Sequence, residues 1–132
     1  NSDQYIRWNS SKAIYNFNSK NLDGAILTFE AIHPKWSYAK CDKDGFVLEV
    51  AEKKVISKNA TVGVYYWKHG SDYVKSAEEM IKKNIRVNNE FYVCPVYNEF
   101  ISKKKKVKIH NVEEMWGLGT PEDLNNFIQK LK

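Results

Sequence analysis

Two places in the sequence, one a cluster and one a single residue, carry charged side chains that could bind a phosphorylated ligand. Glu52, Lys53 and Lys54 end an apolar run, where a carboxylate can accept hydrogen bonds from sugar hydroxyls and ammonium groups suit phosphate as point charges. Asp3 has the features of a loop residue after a strand and is a candidate Mg²⁺ ligand, because Mg²⁺ takes one or two carboxylates beside waters and phosphates. Taken singly, each position is more commonly a solvated surface charge.

Two further features have both a purely structural and a functional interpretation. Gly63 falls inside a predicted strand, where glycine marks either a bulge or the close approach of a ligand or another backbone. The run Lys103–Lys106 resembles a nucleic-acid patch, but it lies between a helix end and a strand, where lysines complement the helix dipole. A solvated loop is therefore favoured, and no nucleic-acid partner is predicted.

A mixture of strands and helices must position these residues. The pattern of apolar residues predicts strands at Gly24–Ile32, on either side of an Asp42–Gly45 hairpin turn, at Ala60–Trp67 and at the edge-like segment KVKIHNV. It predicts helices at Asp72–Lys83 behind a Ser71 cap, at Tyr92–Lys103 with Pro95 in or before the first turn, and at Pro121–Leu131 behind Thr120. The segment up to about Leu22 is interpreted as a loop leading into a short helix. The predicted class is α/β with a mixed sheet.

Length and composition limit the class of protein. With 132 residues, 42% hydrophobic and 28% charged, the chain fits one globular domain, and the interpretation is a cytoplasmic protein with no membrane segment or signal peptide. The net charge of +5 suits a partner rich in phosphate, which could be nucleic acid, a nucleotide or a sugar phosphate. Cys41 and Cys94 are too few for a disulfide framework and are interpreted as structural.

Six segments follow one another along nearly the whole chain: NSDQ, DGAILTF, PKWSYAKCDKDGFVLEVAEKK, NATVGVYYWKHGSDYV, NEFYVCPVYNEFI and MWGLGTPEDL. In this order they resemble the central and C-terminal part of the sugar-phosphate nucleotidyltransferases, in particular the branch that serves bacterial capsule and cell-surface polysaccharides. The succession is far more specific than any one segment.

The resemblance implies a partial glycosyltransferase-A-like, Rossmann-like fold with a mixed sheet and flanking helices. Residues 1–132 would be the C-terminal part of a single nucleotidyltransferase domain. The nucleotide-binding part, with a Gly-rich loop, an Arg and a later Lys, is expected before Asn1. We therefore expect little or no turnover from the isolated chain, and an exposed sheet edge that favours a homo-oligomer or aggregation.

The implied reaction joins a nucleoside triphosphate and a sugar 1-phosphate. The sugar phosphate attacks the α-phosphate and pyrophosphate leaves, with Mg²⁺ as the cofactor. Such chemistry depends on positioning and charge neutralisation and needs no covalent intermediate. This explains why the sequence offers no nucleophile paired with a base.

The resemblance also assigns roles to individual residues. Asp3 matches the family's metal-binding aspartate, and Glu52 and Lys53 match the pair that holds the sugar hydroxyls and the sugar phosphate. Gly63 matches the glycine whose backbone faces the sugar. Asn59 is a weaker candidate for the same pocket.

One position departs from the family pattern. Gly117 stands where relatives often carry a second metal-binding aspartate. Either one carboxylate with waters and phosphates suffices, or Trp116 and Gly117 shape the pocket wall and Glu113 or Glu114 contributes. The alternative function is a non-catalytic module of the same fold that binds a sugar phosphate or nucleotide sugar, and a third hypothesis, resting on the lysine run alone, is a basic nucleic-acid-binding domain.

Overall fold

The computed structural model describes residues 1–132, which form seven strands and four helices. The strands are β1 (Gln4–Arg7), β2 (Gly24–Glu30), β3 (Tyr38–Cys41), β4 (Val47–Ala51), β5 (Asn59–Trp67), β6 (Val107–Asn111) and β7 (Glu114–Gly117). The helices are α1 (Ser10–Ser19), α2 (Gly70–Lys82), α3 (Val96–Ser102) and α4 (Pro121–Leu131).

A five-stranded mixed sheet in the order β4-β3-β5-β2-β6 forms the centre of the fold. Strand β2 runs parallel to β6 and antiparallel to β5, which confirms the predicted mixed sheet with β6 at its edge. Ala25 and Leu27 of β2 pack with Phe17 of α1 in one buried cluster, while Ile26 packs with Phe100 of α3 in another. Helices therefore cover both faces of β2, as its continuous apolar run predicts.

The β3–β4 hairpin turns where the sequence predicts it. Asp42 Oδ1 accepts hydrogen bonds from the backbone N–H groups of Asp44 and Phe46, at 2.9 and 3.0 Å, and Gly45 takes a φ of +82°. Such a φ is open to glycine without steric cost. The resulting register places Tyr38 opposite Ala51, so the residues that precede β3 lie beside those that follow β4.

The predicted loop at the start of the chain is wrong over four residues. Strand β1 pairs antiparallel with β7, Tyr5 opposite Trp116, in a separate two-stranded sheet. Helix α4 packs on this sheet through Phe127, whose ring centroid lies 5.2 Å from that of Tyr5 and 5.8 Å from that of Trp116. Both strands are too short to give a periodic signal, and each is stabilised by a partner from the other end of the chain.

Two predicted helix starts are also corrected. Helix α3 begins at Val96, not Tyr92, because Pro95 is its N-cap and disfavours helical geometry in the residue before it. Helix α2 begins at Gly70 with His69 as N-cap and no side-chain cap bond, not behind Ser71. Helix α4 starts as predicted, with Thr120 Oγ1 accepting from the Asp123 N–H at 3.1 Å.

The lysine run follows α3 as an exposed turn. Lys103 Nζ lies 2.7 Å from Glu79 Oε1 of α2 and thereby joins the two helices. Lys104 takes a left-handed φ of +60° just beyond the helix end. This arrangement agrees with the interpretation of the run as a solvated loop. None of the four helices combines the length and apolar character needed to cross a bilayer.

Candidate functional site

Two adjoining cavities form a cleft between the small β1–β7 sheet and the β3–β4 hairpin. The first has a volume of about 320 Å³ and the second about 260 Å³. Both are lined by the same four residues, Asn1, Gln4, Lys35 and Trp36. We refer to these as the first cavity and the second cavity of the cleft.

Glu52 lines the first cavity and is held there by Ser37. The hairpin register brings the end of β4 beside the residue before β3, so the Ser37 hydroxyl donates a hydrogen bond to Glu52 Oε2. Ser37 is nearly buried, which shields this bond from competing water. The carboxylate is therefore fixed in orientation and can accept a hydrogen bond from a ligand hydroxyl.

Gly63 lines the same cavity, opposite the first residues of the chain. Its φ is +78°, and the β2–β5 register shifts at this point, so Gly63 lies at an irregularity in β5. A Cβ atom on this residue would lie only 2.5 Å from Asn1 Nδ2. Gln4 Nε2 also donates to the Val62 carbonyl at 2.6 Å. The structure thus shows the irregular strand, and the group that comes close to Gly63 is the Asn1 side chain; the approach of a ligand stays a prediction.

Lys53, in contrast, lines neither cavity. Its backbone is left-handed, with a φ of +53°, and its Nζ donates to Tyr92 Oη at 2.8 Å. This hydrogen bond is the largest cause that raises the pKa of Lys53. Tyr92 donates in turn to Glu90 Oε2 at 2.6 Å and lines the first cavity. Lys53 is therefore hydrogen-bonded to a residue of the first cavity's wall, and its predicted role stays a prediction.

The second cavity collects carboxylates and glycines from the two ends of the chain. Asp3 and Asp123 line it with Gly117 and Gly119. A Cβ atom at residue 119 would lie 3.0 Å from Asp3 Oδ2, so the glycine leaves room for that carboxylate. Lys35 Nζ lies 3.6 Å from Asp123 Oδ2. The predicted metal ligand Asp3 and Gly117, the residue that departs from the family pattern, therefore line the same cavity.

The second cavity offers few protein ligands to a Mg²⁺ ion. No group of three or more His, Cys, Asp or Glu side chains is arranged to hold a metal ion. The Asp3 carboxylate is exposed, with Asp123 across the same cavity. Mg²⁺ usually keeps several waters and binds one or two carboxylates plus substrate phosphates, and Asp3 and Asp123 are the carboxylates that line this cavity.

Trp116 and the two glutamates near it make their contacts outside the two cavities of the cleft. Trp116 Nε1 donates to Glu114 Oε1 at 2.7 Å, and its ring packs toward Phe127 of α4. Glu113 and Glu114 both lie 3.4 Å from Arg7 Nε. Of the two residues expected to shape the pocket wall, only Gly117 lines the cleft.

Asn59 lies in a different cavity, of about 620 Å³, together with Glu113 and Glu114. Its Nδ2 donates to the Ala39 carbonyl at 3.3 Å, and its backbone N–H donates to Ser57 Oγ at 3.0 Å. The structure does not bring Asn59 together with Glu52 and Gly63.

No side chain of the cleft is an evident nucleophile. Cys94 lines the first cavity, but burial raises the pKa of its thiol to about 12. Burial also raises the pKa of the neighbouring Tyr65 hydroxyl. Since the thiolate is the reactive form of cysteine, Cys94 is inert near neutral pH.

Sequence reasoning missed Ser37, Lys35, Tyr92 and Asp123 as residues of the cleft. Lys35 and Ser37 flank Trp36 in an irregular segment, and only the hairpin register places them beside β4. Asp123 lies in the first turn of α4, where the helix dipole alone accounts for an acidic residue. Only one signal in the sequence could have identified Lys35 and Ser37: a charged or hydroxyl residue beside the end of a predicted strand.

Comparisons with known proteins find similarity in solved structures. No protein-family model matches the chain, and a search of the curated proteins gives no match. A nucleoside-diphosphate-sugar pyrophosphorylase from Vibrio cholerae RC9 is similar with a TM-score of 0.76 and 27% sequence identity, over 85% of this chain and 48% of that one. A UDP-glucose pyrophosphorylase complexed with UDP-glucose is similar with a TM-score of 0.77 and 14% identity, over 97% of this chain and 54% of that one.

These similarities confirm the predicted fold. The chain has the mixed α/β fold, with flanking helices, of solved sugar nucleotidyltransferases. It spans about half the length of each of the two structures. The predicted capsule branch and the predicted roles of individual residues stay predictions.

Proposed function

We propose that this chain forms the sugar-phosphate side of a sugar-phosphate nucleotidyltransferase that makes nucleotide sugars for cell-surface polysaccharides. One observation carries the proposal: Asp3, Glu52, Gly63 and Gly117 come from separate segments of the sequence and line one cleft. The similarity to a pyrophosphorylase of nucleotide sugars supports it. The whole reaction would consume a nucleoside triphosphate and a sugar 1-phosphate and release pyrophosphate.

The residues of the cleft would bind and orient the acceptor. Glu52, fixed by Ser37, would accept hydrogen bonds from sugar hydroxyls, and the backbone of Gly63, which has the Asn1 amide against it, would face the sugar. An oxygen of the sugar phosphate then forms a bond to the α-phosphorus while the bond from that phosphorus to the bridging oxygen of pyrophosphate breaks. Holding the reacting groups together contributes much of the rate in such reactions.

Asp3, with Asp123 across the second cavity, would hold Mg²⁺. When bound, the ion neutralises charge on the phosphates and assists the departure of pyrophosphate. The protein's part is to keep Asp3 accessible, which Gly119 does by lacking a Cβ atom.

The test is pyrophosphate release by the full-length gene product, over a panel of nucleoside triphosphates and sugar 1-phosphates with Mg²⁺. We expect one pair to be turned over, and Asp3→Asn to reduce the rate at least about tenfold, as loss of a charged ligand usually does. The absence of turnover with every pair would refute the catalytic proposal.

A second candidate is a non-catalytic module that binds a sugar phosphate in the same cleft. Gly117, in place of a second carboxylate at that position, favours it. Calorimetric titration with sugar 1-phosphates separates the two candidates. A pure binder holds its ligand equally well with Mg²⁺ and with a chelator, whereas the catalytic site binds more tightly with Mg²⁺.

A further inference from the structure

We propose that Gln4 is a positioning residue of the cleft, which fixes Asp3 relative to the sugar pocket by tying strand β1 to strand β5. The inference rests on the proposed function and concerns how the two cavities of that site are held together. Gln4 is one of the four residues that line both cavities, and it directly follows Asp3 in the chain. Its side chain therefore lies where the sugar pocket meets the carboxylates.

The Gln4 amide makes a short hydrogen bond to the central sheet. Its Nε2 donates to the Val62 carbonyl at 2.6 Å. Val62 is buried in the core and immediately precedes Gly63, so the bond ends at the irregular part of β5 that lines the first cavity. Because a carbonyl can only accept, the amide must present its NH₂ group to Val62 and keep its oxygen on the other side. This bond therefore fixes the orientation of the Gln4 side chain.

No other hydrogen bond joins the strands of the two sheets. Strand β1 pairs only with β7, and the central sheet contains neither of them. Apart from the Gln4 bond, the small sheet meets the central one through apolar packing, in which Ile6 and Met115 contact the buried cluster that includes Leu27 and Val62. Apolar packing has no preferred direction, whereas a hydrogen bond requires a defined distance and angle. Gln4 is therefore the contact that sets the position of the small sheet on β5.

The backbone of Asp3 lies between the Gln4 bond and the contacts with the segment that follows β7. The Asp3 carbonyl accepts from the Leu118 N–H at 2.7 Å, and the next residue, Gln4, reaches β5. The Asp3 carboxylate lines the second cavity, whereas Glu52 and Gly63 line the first. A ligand that spans both cavities needs these groups at a fixed separation, and a displacement of about 1 Å can cost about a hundredfold in rate. Without the Gln4 bond, we expect the carboxylate to shift relative to the sugar while each cavity keeps its own side chains.

Titrations of the ¹⁵N-labelled chain with glucose 1-phosphate, followed by NMR in Mg²⁺ and in a chelator, test the inference. The variants are Gln4→Met, which keeps the length but loses the donor, and Gln4→Asn, which keeps the amide on a shorter side chain. Gln129→Met on the exposed side of α4 is the matched control. In the wild type we expect Mg²⁺ to tighten binding about tenfold, within the usual range of coupling between two ligands. Gln129→Met should keep that factor, and both Gln4 variants should reduce it to about twofold or less, with nearly unchanged binding in the chelator.

Affinity in the chelator separates positioning from direct contact. If a Gln4 variant loses as much affinity in the chelator as in Mg²⁺, Gln4 binds the ligand itself and the positioning role is overturned. If both Gln4 variants keep the full effect of Mg²⁺, the inference is overturned and the proposed function stands. If the wild type does not bind glucose 1-phosphate, or binds it equally well with and without Mg²⁺, the catalytic proposal fails and this inference fails with it.

Amide hydrogen exchange supplies a second readout that does not depend on a ligand. Because Gln4 is only half-buried, its variants should keep the wild-type dispersion of amide signals, which the same spectra verify. We expect exchange in β1 and β7 to become faster in Gln4→Met while exchange in β2 stays unchanged, since only the small sheet loses a contact that opposes its local opening. Equal exchange rates in the wild type and in Gln4→Met would contradict the tie between the two sheets.

Discussion

The side-chain amide of Asn1 lies over Gly63, so that a Cβ atom at residue 63 would come within 2.5 Å of Asn1 Nδ2. The backbone of this glycine also has a φ of +78°, which residues other than glycine rarely adopt. The place of a side chain at residue 63 is therefore already taken by the Asn1 amide. A side chain at position 63 would move Asn1, whose amide is at the end of an exposed side chain and can swing away.

Gly63→Ala should therefore reduce ligand binding more than it reduces stability. Gly45→Ala is a matched control, because Gly45 has a φ of +82° and a Cβ atom there would meet nothing within 4 Å. We expect both variants to lose about 1 kcal/mol in the free energy of unfolding, measured in urea, from the strained φ. Only Gly63→Ala should bind glucose 1-phosphate more weakly, and equal binding by the two variants would contradict the role of Gly63.

Ser37→Ala should weaken binding of the sugar more than binding of the phosphate. The substitution removes the hydroxyl that donates to Glu52 and leaves that carboxylate free to rotate. We expect a loss of about 1 kcal/mol in stability, because the bond ends on a charged group whose side chain is only half-buried, and weaker binding of glucose 1-phosphate with unchanged binding of inorganic phosphate.

The control for Ser37→Ala is Ser102→Ala, whose hydroxyl donates to the Glu99 carbonyl at 2.7 Å in α3, away from the cleft. If the two variants bind glucose 1-phosphate equally, Ser37 does not position Glu52 for the ligand.

Asp123→Asn should strengthen the binding of inorganic phosphate in the second cavity. It removes a negative charge from the second cavity and releases Lys35 from its contact at 3.6 Å. In the absence of Mg²⁺ we expect inorganic phosphate to bind a few-fold more tightly. The cost in helix stability should be small, about 0.3–1 kcal/mol, from the weaker interaction with the dipole of α4. Weaker binding of phosphate would contradict the predicted repulsion by Asp123.

Stability should fall as the solution is acidified below the ordinary pKa of histidine. Burial lowers the pKa of His110 from 6.5, and Lys20 and Lys12 lower it further. In the window below pH 6.5 the unfolded chain then binds more protons than the folded chain, so stability rises with pH there. Unfolding in urea at several pH values should give a slope that His110→Gln reduces, and an unchanged slope would exclude His110 as its source.

The central elements could be predicted because their signals are local. Strand β2 has a continuous apolar run buried on both faces, and the hairpin has Asp42 and Gly45 where the turn needs them. Helix α4 has its cap and proline in the first turn. Each of these features depends on neighbours in the sequence, so the sequence alone identifies them.

The cleft could be predicted only in part, because its geometry depends on contacts between distant segments. Asp3, Glu52, Gly63 and Gly117 were recognised by resemblance and lie together. Lys35 lies in an irregular segment after β2, where the sequence has no periodic pattern that would predict the orientation of its side chain. Trp116 packs toward Phe127 of α4, an arrangement that follows from the pairing of β7 with β1 and that the sequence did not reveal.

The β1–β7 sheet also determines when the cleft can form during folding. The Leu118 N–H donates to the Asp3 carbonyl at 2.7 Å, although nearly the whole chain separates the two residues. Closing so long a loop costs entropy before any contact rewards it, so contacts of this kind form slowly. We therefore expect the second cavity to be completed only after the central sheet has brought the two ends together. A ligand that binds there opposes their separation and should slow local opening, measured as amide hydrogen exchange in β1 and β7.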